Sequence, residues 1–212
     1  MITHLLFDLD NTLYSARYDL EKKVSIRINN FLKNVLRIPR LEVESIRLDL
    51  IQKTGYGTTL EWLMAEKGFT DIETYFMAIC PKNEAESLPP DPELGAFLAS
   101  ISLPKAVLTN SPREHADRIL DKLRIKMHFN HIFDIRFNKF KGKPHRDAFL
   151  RTLEAMDAEP ETTLFIDDIP KFVEGYLALG GKALLLDEFN KYSELRFERI
   201  RNIREIGSFL SL

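Results

Sequence analysis

The sequence is short of cysteine: Cys80 stands alone among 212 residues. No intramolecular disulfide is possible, which fits a reducing compartment. Cys80 reads as a packing residue, because no His or Asp pattern points towards it. A charge imbalance is also missing. The 30 Lys and Arg against 32 Asp and Glu leave a net charge of −2, so nothing overall suggests nucleic acid or an anionic membrane. No apolar run approaches the ~20 residues of a membrane span. The opening MITHLLFDLD lacks a basic start and apolar centre and reaches an acid too soon for a secretory signal. A soluble cytoplasmic protein with no membrane or nucleic-acid partner is the expectation. The 5 histidines, His4, His115, His128, His131 and His145, show no metal-ligand spacing. Only His145, close to Lys143, stands near a candidate site. Repeats and low-complexity segments are absent too.

What is present is an ordinary globular balance, with 44% hydrophobic residues and 15 Phe, enough for one sizeable domain with a modest insertion. ITHLLFDLD predicts a short buried strand over residues 2–8. Val24, Ile28, Phe31, Leu32 and Val35 recur at helical spacing from Leu20 to Leu36, and Pro39 closes that helix. Further helices are expected over Leu41–Lys53, over TTLEWLMAEKG with Thr58 or Thr59 as cap and Gly68 as stop, and over DIETYFMAI. PKNEAESLPPDP is a turn-rich link. Beyond it, strands (KAVLTN, HIFDIRF, TTLFIDD, KALLLD) alternate with helices, and SELRFERIRNIREIGSFL predicts a terminal helix. The alternation argues for an α/β fold: a parallel, Rossmann-like sheet with helices on both faces. The strand-free block 15–90 reads as a helical cap inserted after the first strand, with residues 1–14 and 91–212 forming the core.

In an open parallel sheet, ligands bind beyond the carboxyl ends of the strands. Asp8 and Asp10 end the first strand, Thr109, Asn110 and Ser111 the second, and Asp167 and Asp168 the strand TTLFIDD. Lys143 sits in the loop KGKPH, with Lys139 and Lys141 as nearby competitors. Each of these alone is explained as a turn former or helix cap. Together, they place acids along one rim that repel one another unless a cation neutralises them, and all-oxygen ligands favour Mg²⁺ over zinc.

At those positions the sequence resembles the haloacid dehalogenase superfamily. Asp8-Leu9-Asp10-Asn11-Thr12 is similar to its first motif, Thr109-Asn110 to its second, Lys143-Pro144 to its third and Asp167-Asp168 to its fourth. FDLDNTLY, YGTTLEWL, GKPHRDAF and FIDD…LALG further resemble the pyrimidine 5′-nucleotidase branch. The resemblance implies a phosphomonoesterase acting through an aspartyl-phosphate on a small phosphorylated metabolite, such as a pyrimidine nucleoside 5′-monophosphate. It implies Asp8 as nucleophile, the Asp10 side chain as general acid and base, and Lys143 as the countercharge to the developing pentavalent phosphorus. It also implies Thr109 and Asn110 on the phosphoryl oxygens, and Mg²⁺ held by Asp8, the Asp10 carbonyl, Asp167 and Asp168. Tyr56, Thr58 and Thr59 would be cap contacts. One departure stands out: where relatives carry Ser and Asn after the paired acids, this chain has Ile169 and Phe172. A phosphomutase using the same intermediate, or a non-catalytic regulatory protein on the same fold, are the alternatives.

Overall fold

The computed structural model describes residues 1–53 and 55–210. Its centre is a parallel sheet of β1 (His4–Phe7), β2 (Lys105–Leu108), β3 (His131–Phe133), β4 (Thr163–Asp167), β5 (Lys182–Leu186) and β6 (Arg199–Ile200), in the order β3-β2-β1-β4-β5-β6. Every neighbouring pair runs parallel. β1 lies in the middle, so its consecutive Leu5, Leu6 and Phe7 are all fully buried, as a strand covered on both faces requires. Alternate side chains face opposite ways. Leu5 and Phe7 join Leu98, Ile119 and Ile203 in one apolar cluster. Leu6 joins Phe149, Val173 and Tyr176 in another. Helices α5 (Pro92–Ser100) and α6 (Arg113–Leu123) supply the first cluster, α7 (Arg146–Ala155) and α8 (Pro170–Leu177) the second.

Between β1 and β2 lie α1 (Leu20–Leu36), α2 (Arg40–Lys53), α3 (Thr59–Lys67) and α4 (Ile72–Ile79). They share a third cluster built on Leu32, Val43, Leu63, Tyr75 and Phe76, to which the sheet side contributes buried Ile135. Aromatic edges interlock there, with the Phe31 and Tyr75 ring centroids 5.1 Å apart at 88°. Thr58 caps α3 by accepting from the Glu61 N–H at 3.1 Å, and Gly68 ends it at a φ of 61°. Both devices are those read from the sequence.

The C-terminus corrects an expectation. In place of a single helix over 193–210, the chain forms β6, a short 3₁₀ turn over Ile203–Ile206 and the single-turn α9 (Gly207–Leu210). The reason is an open sheet edge. The Leu185 N–H donates to the Glu198 carbonyl at 2.9 Å and Asp187 N–H to Ile200 at 2.8 Å, so β5 captures the segment as an edge strand. Two of the arginines there are paired: Arg199 with Asp187 at 3.2 Å, Arg204 with Asp91 and Glu93 at 3.4 and 3.1 Å.

Candidate active site

The sheet order puts β2, β1 and β4 side by side, so their carboxyl ends deliver Thr109, Asp8, Asp167 and Asp168 to one rim. Asp8 continues the ladder, its N–H donating to Ile166 at 2.8 Å. The chain then turns at once: the Leu13 N–H donates to the Leu9 carbonyl at 3.0 Å, and Asn11 adopts a φ of 57°. That turn brings the Asp10 carboxylate back over the rim, while Leu9 is buried.

Lys143 reaches the centre of the rim from the loop ahead of α7. Its Nζ lies 2.6 Å from Asp8 Oδ1 and 2.6 Å from Asp167 Oδ2, with no exposed surface on its side chain. Lys139 and Lys141 are exposed. Burial opposes the Lys143 charge, but Asp167 and Asp8 more than compensate and hold the ammonium above its ordinary pKa. Burial pushes Asp8 upward and Lys143 pulls it down; with Asp167 and Asp10 adding repulsion it rises to about 8. Asp168 is raised well above the carboxylate range by burial, then by Asp167 and Asp8. The Asp8, Asp167 and Asp168 carboxylates can all bring an oxygen within 4.8 Å of one another. Asp168 has no hydrogen-bond or ion-pair partner among the described residues. Unpartnered hard oxygen donors whose ionisation awaits a cation fit Mg²⁺.

The two departures in the fourth motif now have local explanations. The Ile169 backbone N–H donates to Asp167 Oδ1 at 2.8 Å, supplying from the main chain a bond to that carboxylate. The Phe172 ring centroid lies 5.1 Å from Lys143 Nζ and that of Phe165 5.5 Å, so two aromatic rings lie within cation–π reach of the buried ammonium.

The Asn110 side chain holds the loop that carries Lys143. Its side-chain amide donates to the Lys143 carbonyl at 2.9 Å and its Oδ1 accepts from the Lys143 N–H at 2.7 Å. This two-point clamp sets the lysine. It also explains the glycine before Lys143: a Cβ at Gly142 would lie 2.1 Å from Asn110 Oδ1. Thr109 is buried, and its hydroxyl accepts from the Ser111 N–H at 3.0 Å.

Asp10 is held on several sides. Oδ1 meets the Tyr14 hydroxyl at 2.6 Å and His115 Nε2 at 2.8 Å, and Oδ2 accepts from Ser111 Oγ at 3.0 Å. Burial pushes its pKa up, but the His115 charge and these hydrogen bonds prevail and lower it to about 2. Burial disfavours the His115 cation, yet Asp10 chiefly, with help from Cys80 and Glu84, raises its pKa well above the usual value. Its Nδ1 is 2.9 Å from Glu84 Oε1, and Arg118 binds the same oxygen. Sequence reasoning missed this chain of contacts. Its signal was His115 on the apolar stripe of α6, beside Ala116 and one turn from Ile119, where a polar ring must find partners.

Above the rim lies a cavity of about 350 Å³, floored by Asp8, Asp10 and Thr109 and walled partly by Tyr56, Thr58 and Thr59. Thr58 combines that position with its capping role. Tyr56 donates to Glu66. Glu61 Oε2 accepts from the Gly57 N–H and approaches His145 Nε2, each at 2.8 Å, tying the α3 start to the loop that carries Lys143.

A family model described as "haloacid dehalogenase-like hydrolase" matches residues 2–176. A phosphoglycolate phosphatase from Aquifex aeolicus is 27% identical over 188 residues, 85% of this chain and 83% of that protein. Among solved structures, a HAD phosphatase from Thermococcus onnurineus superposes with a TM-score of 0.66 at 19% identity, over 99% of this chain and 98% of the other. A magnesium-bound HAD-hydrolase from Bacillus subtilis gives 0.66 at 18% identity, over 100% and 99%. At these identities the structural likeness speaks for the fold.

Proposed function

The chain belongs to the haloacid dehalogenase-like hydrolases, and on that premise we propose that it is a Mg²⁺-dependent phosphomonoesterase with Asp8 as nucleophile. The observation that carries this reading is the contrast between two aspartates of one strand end. Asp8 is gripped by Lys143 beside Asp167. Asp10 is turned away to a set of hydrogen-bond donors. The two carboxyls therefore have different partners: Asp8 lies against the cation that would face a phosphoryl group, and Asp10 against a proton source.

An Asp8 oxygen attacks phosphorus, the alkoxide leaves, and an aspartyl-phosphate forms. The Lys143 ammonium, already 2.6 Å from Asp8 Oδ1, offsets charge on the phosphoryl oxygens as it develops. Asp10 passes to the leaving oxygen a proton drawn from His115 Nε2, 2.8 Å away. It then takes a proton from the water that cleaves the acyl phosphate and hands it back to His115 Nε2, restoring the starting state. Asp8, Asp167, Asp168 and the Asp10 carbonyl would hold Mg²⁺, whose charge, when bound, lets an anionic ester approach an anionic side chain. Thr109 and the Asn110 backbone face the phosphoryl oxygens. Residues 15–90 act as the cap that closes the cavity over the core of 1–14 and 91–212.

Phosphoglycolate, the substrate in the name of the Aquifex relative, and pyrimidine nucleoside 5′-monophosphates are the two substrates to assay first. The test is release of inorganic phosphate from both with Mg²⁺ present. Asp8→Asn is expected to lose roughly 10³-fold or more. A loss under tenfold would remove Asp8 as nucleophile, and isomerised ester without free phosphate would make the chain a mutase.

A further inference from the structure

Away from the cavity, three buried side chains of different kinds converge. Cys80 ends α4, Glu84 sits in the turn that follows, and His115 comes from α6. They are 6, 5 and 1% exposed. Each offers one donor atom, a sulfur, an oxygen and a nitrogen, within 4.8 Å of the other two.

Hydrogen bonding does not use up these atoms. His115 Nδ1 lies 2.9 Å from Glu84 Oε1, yet off the line that a hydrogen bond needs. Neither Nδ1 nor Glu84 Oε2 has a hydrogen-bond partner among the described residues. Enclosed polar atoms left in this state cost stability. Donors around a tetrahedral zinc stand about 3.3–3.6 Å apart, given bonds of about 2.0–2.3 Å. The spacings here, from 2.9 Å to at most 4.8 Å, straddle that range, so small side-chain rotations bring all three onto one ion.

The surroundings also suit a metal. A histidine that binds a metal through one nitrogen generally gives its other N–H to a carboxylate, and binding carboxylates are themselves hydrogen-bonded. His115 Nε2 faces Asp10 Oδ1 at 2.8 Å. Arg118 donates from Nε to Glu84 Oε1 at 3.0 Å and from Nη2 to the Cys80 carbonyl at 2.9 Å, so one side chain steadies two donors. Charge is no obstacle, although Arg118 binds Glu84 and Arg27 Nη1 lies 4.0 Å from Glu84 Oε2. Burial keeps Cys80 a thiol; against burial, Asp10 keeps His115 charged. A zinc ion sends the thiol proton and the Nδ1 proton into solvent. Two positive charges leave as two arrive, and the arginines meet no added repulsion.

We infer that Cys80, Glu84 and His115 Nδ1 form a site for a thiophilic divalent ion, Zn²⁺ by its donors, separate from the all-oxygen rim. Sulfur and nitrogen donors disfavour Mg²⁺, so the two sites take different ions. A bound ion leaves His115 only its Nε2 proton, and yielding that would make an imidazolate. On the phosphomonoesterase reading above, the ion then slows the step that draws on this proton.

Cobalt(II) reports such a site through its spectrum. The full chain, reduced with a phosphine and held in excess Mg²⁺, is titrated with Co²⁺ as wild type, Cys80→Ser, Glu84→Gln and Asp168→Asn. Wild type and Asp168→Asn should bind about one equivalent with a thiolate-to-cobalt charge-transfer band in the near ultraviolet. Cys80→Ser should show no such band, and Glu84→Gln should bind at least about tenfold more weakly. No band in the wild type, a band in Cys80→Ser, unchanged affinity in Glu84→Gln, or loss of the band from folded Asp168→Asn would each overturn the site. Cys80 is the only cysteine, so the wild-type band decides thiolate binding even if a variant fails to fold by circular dichroism. With p-nitrophenyl phosphate and saturating Mg²⁺, about one equivalent of Zn²⁺ should slow the wild type at least about tenfold and Cys80→Ser less than about twofold. Equal slowing would overturn the link to His115. If the wild type hydrolyses no ester, the phosphatase reading fails, and the cobalt spectra alone decide the site.

Discussion

His115 shows how much one buried side chain can organise. It stands between the Asp10 and Glu84 carboxylates with 1% of its side chain exposed. Replacing it by Leu leaves the enclosed Glu84 carboxylate and the partly exposed Asp10 carboxylate facing an apolar group, and breaking such a pair from one side costs roughly 3–5 kcal/mol. Urea unfolding at pH 7 should therefore show a loss of that order in His115→Leu. The gap has a pH signature. Asp10, lowered from 3.8 to about 2, contributes stability that is whole above pH 3.8 and lost as pH falls through about 2. A shift of that size is worth about 2 kcal/mol. His115, raised above 6.5, contributes below pH 6.5 and loses its share only as pH climbs through its elevated value. The difference between wild type and His115→Leu should thus shrink as the solution is taken from pH 4 towards 2; a constant difference would mean that the pair is not ionised. Another expectation at this scale concerns Gly142→Ala. With a Cβ placed 2.1 Å from Asn110 Oδ1, the clamp on Lys143 must open, and phosphatase activity should fall at least tenfold with the fold retained.

Among the elements, those made by local rules were legible and those made by distant partners were not. α1 followed from apolar spacing, α3 from its Thr and Gly ends, and the central strands from short apolar runs ending in acids or hydroxyls. Thr58→Ala should accordingly cost about 1 kcal/mol through loss of the cap, measurable by denaturant midpoint. β6 escaped because RFERIRNIRE carries a helical pattern of its own, whereas its pairing is decided by the open edge of β5, which adjacent sequence does not reveal. Ile200 is 1% exposed in that strand, so Ile200→Ala should cost about 2–5 kcal/mol, far more than a frayed terminal helix would register. The site divided in the same way. The acids at the ends of β1 and β4 could be placed together from the order of strands. The partners of Asp10 arrive from Ser111, His115 and, through the ring, Glu84, whose meeting depends on how the chain returns to the sheet. Asn110 was recognised at its strand end, but its grip on Lys143 depends on a loop 33 residues away.

At the scale of the molecule, four acids gathered around one lysine at a sheet rim repel one another when ionised, which holds protons on Asp8 and Asp168, and a divalent ion should relieve that repulsion. Mg²⁺ should raise the melting temperature of the wild type, as binding to the folded state alone does, and Asp168→Asn should abolish most of that rise. Because Asp8 must give up its proton to serve as a ligand and its pKa stands at about 8, the Mg²⁺-induced shift should grow between pH 6 and 8. A flat response would separate Asp8 from the ion.

The attachments of the helical segment carry a mechanical consequence. On the outgoing side, Ser15 Oγ and the Ala16 N–H both donate to Glu188, at 2.6 and 3.2 Å. On the returning side, Glu84 is anchored by His115 and Arg118, both on α6. These moorings fasten the two ends of the segment to the sheet; were α1–α4 to swing, it would turn just after Ala16 and just before Glu84, and the Glu61–His145 and Glu73–Arg136 contacts would have to part. The bundle would tilt like a lid on two short straps while the floor beneath it kept its shape.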